Sequence, residues 1–298
     1  MNFFKLLDKL KRKSTSLILY SLLDRIPIIV FGENSNKIDD FLVILSELVH
    51  FRKEFVFYTD FISGNDYNNL IQIEDIDYNS QRAHIRCPCN VALKALDQFD
   101  FFNSWIIGIS LEKQKDKYHT IRNEIRKKTN KFLSVLISSN TISVNLEGAN
   151  TKLIDLSFEQ KILHKITQDT EKSVARMKRV LSEKIKSNKL DQDLINTLLD
   201  FDTEKNELKK NIFKKEIQNF YSGSKRALFI LTRLDLLNSL DINTKIGSNT
   251  LLETIDYEDA PIERILSFIT NEWGEDFTNL IENEKRIFIG DKIQSLWG

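Results

Sequence analysis

The feature that most constrains this chain is the alternation of short apolar runs with segments of helical length in its first third. Residues 27–31 are apolar except for the opening proline, and 54–61, 83–86 and 105–111 form three further apolar-rich runs. Between the first two, residues 37–50 set Ile38, Phe41, Leu42, Leu45 and Val49 on one helical face, and 90–99 reads as a second helix. A strand buried on both sides loses its polar/apolar alternation, and two parallel strands need a crossover, usually a helix, to join them. The pattern therefore predicts a mainly parallel sheet flanked by helices. Three prolines and nine glycines in 298 residues leave few places for flexible linkers.

Further along, 117–128 reads as a helix and 132–137, 141–147 and 151–156 as three short strands, which form an antiparallel meander or extend the first sheet. In the middle one Ile142, Val144 and Leu146 alternate with Ser143, Asn145 and Glu147, which predicts one buried and one wet face. After residue 156 the pattern is helical. Ser157 followed by Gln160 is a capping-box start, and Ile162, Ile166, Val174, Met177, Leu181 and Ile185 mark one face of a helix of roughly 45 Å. Helices over 191–201, 203–221 and 226–240 follow, the last apolar on nearly every side and so expected at the centre of this half. Ser222-Gly223-Ser224 reads as the turn before it, with Ser224 as its cap. Residues 260–273 make a final helix stopped by Gly274, and Ile287, Phe288, Ile289, Leu296 and Trp297 predict a packed tail. The expected fold is α/β with an N-terminal mainly parallel sheet, short antiparallel strands, and then a C-terminal domain of long α-helices. Its expected parts are a basic helix at 1–13, an α/β domain at 14–156 and a helical domain at 157–298.

A hydrophobic fraction of 41% beside 29% charged residues belongs to a foldable chain and excludes the disordered class. Two cysteines two positions apart make no disulfide framework, which points to a reducing compartment. The N-terminal residues lack a secretory pattern, and the apolar stretch 16–31 is broken by Asp24, Arg25 and Pro27, so a cytoplasmic location is expected. The net charge is zero but unevenly spread. Residues 172–189 carry Lys172, Arg176, Lys178, Arg179, Lys184, Lys186 and Lys189 against Glu183, whereas 253–284 carry ten carboxylates against Arg264. Such segments dock on each other or form separate solvated faces. Without overall basicity or a reading motif they argue against nucleic acid as a partner. Residues 2–13 place Phe3, Leu6, Leu7 and Leu10 among lysines, an amphipathic pattern suited to weak membrane-surface contact or to capping the domain's own core.

Ligands of parallel α/β sheets bind beyond the carboxyl ends of the strands. The ends here are residues 32–36, Thr59-Asp60, 87–90 and 108–110. The first has the layout of a phosphate loop: a strand, then Gly32, Glu33, Asn34, Ser35, Asn36 and Lys37, then a helix whose first N–H groups would face an anion. It departs from the G-x-x-x-x-G-K-[ST] pattern. The spacing is one residue short, Asn36 stands where the second glycine belongs, Ile38 where the Mg²⁺-binding hydroxyl belongs, and Glu33 repels phosphate. Asp60 occupies the place of a ribose-binding acid. His84, Cys87 and Cys89 supply metal-ligand atoms, but Cys-Pro-Cys is tighter than a structural zinc spacing and no second pair exists; a thiol at a helix start near arginines is the alternative.

No reaction is written in these residues. They assign no catalytic group, no cofactor and no metal. They describe a non-catalytic scaffold or regulatory protein with a degenerate nucleotide-binding-like core and a protein partner or self-association. Two alternatives are a module binding a nucleotide or other anionic small molecule through Gly32, Glu33, Asn34, Ser35, Lys37 and Asp60, and a peripheral membrane adaptor working through residues 2–13.

Overall fold

The computed structural model describes residues 12–74, 77–111, 118–138, 141–188 and 202–282. Residues 2–11 of the helix expected over 2–13, the helix expected over 191–201 and the tail beyond 282 lie outside these residues. The chain divides into two compact units, Met1–Gln218 and Asn219–Gly298.

The first unit is built on a six-stranded sheet. Helix α1 (Arg12–Leu23) leads into β1 (Ile28–Gly32), followed by α2 (Ser35–Leu48), β2 (Lys53–Val56), α3 (Gly64–Ile71), β3 (Ala83–Cys87), α4 (Ala92–Gln98), β4 (Trp105–Ser110), α5 (Tyr118–Lys128), β5 (Phe132–Ile137) and β6 (Ile142–Glu147). The strands lie in the order β2-β3-β4-β1-β5-β6. All neighbouring pairs are parallel except β5 with β6. Every residue of β1 is buried, as expected of a strand paired on both edges and covered on both faces.

The chain leaves β1 toward one edge and then returns strand by strand. Right-handed crossovers therefore send α2 to one face and α3, α4 and α5 to the other. Packing agrees. Ala92, Leu96, Ile121 and Ile125 of α4 and α5 cluster with Phe31, Ile85, Cys87 and Ile107, while Ile38 and Leu42 of α2 press on Gly108 from the opposite side. Helix α1 packs on β5 and β6, and α6 (Ser157–Asn188) packs on α1. Two buried arginines close the amino edge. Arg52 donates to the carbonyls of Leu22 and Leu23 at 2.6 and 3.0 Å, satisfying the end of α1, and Arg25 donates to Ala83 at 3.2 Å.

Two expectations fail here. Residues 151–156 form turns and irregular chain rather than a third antiparallel strand. The chain past β6 turns at Gly148, whose φ of +77° suits glycine and whose absent Cβ would lie 1.8 Å from the Asn130 carbonyl oxygen. The two helices expected over 203–240 are one, α7 (Asp202–Ser239). Ser224 is buried within it and caps nothing, and Gly223 marks a close approach, a Cβ there falling 2.9 Å from Cβ of Tyr257. The first part of α7 belongs to the first unit, where Glu216 pairs with Lys165 of α6 at 2.8 Å and Lys210 with Glu47 of α2.

The second unit takes the rest of α7, a two-residue ladder of β7 (Ile246–Gly247) with β8 (Ile281–Glu282), α8 (Ser248–Thr254), α9 (Ile262–Trp273) and a 3₁₀ turn at Thr278–Leu280. Phe220 packs edge-on to Phe268 at 4.9 Å, and Tyr221 stacks on Trp273 at 5.9 Å. Gly274 ends α9 in the left-handed conformation, as expected. The expected burial of 226–240 on all sides is not observed: Leu236 and Leu240 are 60% and 63% exposed.

Glu147 at the end of β6 ties the sheet to α5. Burial alone would raise its pKa, but hydrogen bonds from Arg126 and Arg122 outweigh that and hold the carboxyl below its usual range. A depressed pKa contributes stability present above the unfolded value of about 4.3 and lost as pH falls through the folded one. Glu147→Gln should therefore lower the free energy of urea unfolding at pH 7 by about 1.5–3 kcal/mol, with the difference from wild type narrowing below about pH 4.

Candidate functional site

Strands β1 and β4 are neighbours whose following connections leave to opposite faces, so the sheet's reversal point lies between their carboxyl ends. Gly32 ends β1 and pairs with Ser110 of β4. The amide of Leu111 donates back to the Gly32 carbonyl at 2.7 Å. The next strand out, β3, delivers residues 87–90. The structure thus brings the carboxyl ends of β1, β3 and β4 to one edge.

Asp60 stands apart. It follows β2, which is separated from β1 by β3 and β4, or about 14 Å at the usual strand spacing. Its carboxylate accepts the Val56 amide at 2.6 Å and closes a local loop, helped by the left-handed Tyr58 (φ +73°). A ribose-binding role beside Gly32 would need β2 next to β1, and that position belongs to β4.

The loop after β1 is organised around packing. Asn34 is the N-cap of α2, its side-chain oxygen accepting the Lys37 amide at 3.0 Å, which takes one of the N–H groups an anion would use. Ser35 is half-buried, and Glu33 and Lys37 are exposed. Ile38, fully buried, fills the centre. A Cβ on Gly32 would lie 3.2 Å from its Cγ1, and one on Gly108 would lie 2.9 Å from its Cγ2, 2.9 Å from Cys89 Sγ and 3.0 Å from Leu42 Cδ1. Gly108 lets α2 and Cys89 approach the sheet, and Gly32 sits tightly between Ile38 and the Ile137 carbonyl oxygen of β5, 3.1 Å from where its Cβ would be. On the α2 face of the sheet the space at both glycines holds the protein's own side chains.

His84, Cys87 and Cys89 do not converge. Positions 84 and 87 of one strand point to opposite faces, with Cys87 in the cluster beneath α4 and His84 beneath α2. Burial raises both thiol pKa values, and the Asp39 carboxylate raises them further, so both thiols stay protonated at neutral pH and are poor nucleophiles. Asp39 also accepts the Cys89 amide at 3.0 Å, fastening the β3–α4 loop to α2. Among the described residues no three metal-ligating side chains come together.

The side chains that do converge include three not singled out from sequence. Ser46 near the end of α2 lies 2.5 Å from Nε2 of His84 and donates to Glu54 Oε1 at 2.6 Å; Arg86 donates to the same oxygen at 2.6 Å. Glu54 and His84 are paired across β2 and β3, and Arg86 is two residues along on the same face. The cluster joins α2 to the two outer strands. Ser46 and His84 are buried. The signal available in sequence was the placement of charged residues inside apolar strands.

No protein-family model, curated protein or solved structure matches the chain.

Two measurements check this description. Gly108→Ala should lower stability by about 1–3 kcal/mol through overpacking, and Ile38→Ala by about 2–5 kcal/mol through the cavity it leaves. In a double-mutant cycle the Gly108→Ala penalty should shrink but not vanish in the Ile38→Ala background, because one of its three clash partners is gone while Cys89 and Leu42 remain; additive penalties would contradict the packing. Ser46→Ala, which strips a buried hydrogen-bond partner from His84, should cost about 1–3 kcal/mol in chemical denaturation.

Proposed function

We propose that this protein is a non-catalytic scaffold or regulatory protein of the cytoplasm, acting through protein–protein contacts, whose α/β unit is a degenerate form of a nucleotide-binding-like core. The carrying observation is the close packing of α2 on the sheet beside the reversal point. Ile38 lies over Gly32 and Gly108, Leu42 and Cys89 lie over Gly108, and Asn34 takes the Lys37 amide, a group an anion would use. The remaining chemistry is directed inward: the thiols are held protonated, Asp60 serves its own loop, and the Ser46–His84–Glu54–Arg86 cluster joins α2 to the sheet.

Outward-facing apolar side chains support the contact role. Phe229 and Leu236 lie seven residues apart on the last turns of α7 in the second unit, with Leu240 and Ile242 just beyond its end, and all four are exposed. Both cysteines are free thiols, in keeping with a reducing compartment. No helix among the described residues is long and apolar enough to cross a membrane.

Thermal melting against Mg-ATP, Mg-GTP, NAD and inorganic phosphate tests the reading. No change in Tm is expected. A ligand at a hundred times its Kd adds about 2.7 kcal/mol, so a concentration-dependent rise of several degrees with any of these would overturn the proposal in favour of a ligand-binding module. Ile38→Gly, which empties the space, serves as the comparison in which weak binding could be gained.

A further inference from the structure

The two edges of the sheet are treated differently. Natural proteins blunt edge strands with charges, brevity or coverage, because an exposed row of N–H and C=O groups recruits other strands. Strand β2 follows that rule: it has four residues and opens with the exposed pair Lys53 and Glu54. Strand β6 does not. It runs Ile-Ser-Val-Asn-Leu-Glu with no proline and no lysine, and its one charge, Glu147, is engaged by Arg122 and Arg126.

The phase of the hydrogen bonds shows which groups face out. The Leu133 amide donates to Pro27 at 2.8 Å, toward β1. In β5, Leu133, Val135 and Ile137 therefore turn their backbone groups to β1, and Phe132, Ser134 and Leu136 turn theirs to β6. The β6 partners of that second set are Glu147, Asn145 and Ser143. Ile142, Val144 and Leu146 are left with N–H and C=O directed to the outer edge, where no described strand pairs with them.

We propose that β6 pairs with β6 of a second copy of this chain, antiparallel and centred on Val144, joining two six-stranded sheets into one. The partner follows from the symmetry of the strand. Reversing β6 about Val144 places Ile142 opposite Leu146 of the second copy and Val144 opposite its own counterpart, apolar against apolar on the α1 side. On the other face Ser143 falls opposite Asn145, polar against polar. The same register satisfies the outward row of both copies with about six backbone hydrogen bonds. Pairing of like edges is isologous and closes at two, and the charged edge at β2 discourages growth from the far side. This gives the protein-contact reading above a definite partner.

Sedimentation equilibrium of the full chain at micromolar concentration should give twice the 34.9 kDa monomer mass. Val144→Pro removes an amide that the monomer does not use, so it should yield a folded monomer with unchanged far-UV circular dichroism, whereas Asn145→Pro breaks a β5–β6 bond and should lower Tm. Val144→Lys is a second disrupting variant that keeps the backbone intact. In the wild type, hydrogen exchange across residues 142–146 should slow as concentration rises. A wild-type monomer at every concentration, dimers formed equally by Val144→Lys, or exchange independent of concentration would each overturn the pairing. A monomer that also melts unchanged with nucleotides would remove this inference and leave the scaffold reading standing with another partner.

Discussion

Parallel pairing of β1 on both edges is the constraint on which the rest of the first unit depends. Its neighbours β4 and β5 arrive much later in sequence, so β1 can sit at the centre only after the chain has travelled out to β2 and back. That excursion separates α2 from α3, α4 and α5 onto opposite faces. It also sets the register in which Gly32 meets Ser110, and hence the approach of Ile38 to two glycines at once. Burial of every β1 side chain follows from the same pairing.

The closeness of α2 to the sheet then governs the chemistry. A helix pressed against Gly32 and Gly108 packs Ile38 and Leu42 onto the sheet, and its capping group, Asn34, belongs to its own backbone. Further along the helix, Ser46 reaches the outer strands and engages His84 and Glu54. Ser46 Oγ and His84 Nε2 are thereby engaged within the protein. A buried histidine bonded to a serine contributes to the uniqueness of the fold as much as a hydrophobic contact does, because neither polar group can be left without a partner cheaply.

Much of this was legible in the sequence. The parallel sheet showed in apolar runs such as 105–111 because burial on two faces leaves no polar phase. The wet face of β6 showed in the alternation of Ser143 and Asn145, and the stop of α9 in Gly274. Strand order was not legible. Nothing local distinguishes a β2 lying beside β1 from one lying three strands away, and the role expected of Asp60 rested on that difference. The unbroken α7 was hidden for another reason. Gly223 looks like a turn residue from its neighbours, whereas its place is set by Tyr257, more than thirty residues on. The convergence of Ser46 with His84 likewise spans 38 residues and leaves no periodic trace.

A glycine after a strand thus carries two physical meanings that a single sequence cannot separate. It clears room either for a phosphate to approach the backbone or for a neighbouring element to do so. The residue that would occupy the cleared space decides between them. Here position 38 holds isoleucine, a β-branched side chain with no hydroxyl to offer a metal ion, lying over Gly32 of β1 and Gly108 of β4. An apolar group of that size stabilises the contact between α2 and the sheet only while the space is dry. The contact of Ile38 with both glycines therefore fixes α2 to two neighbouring strands at once.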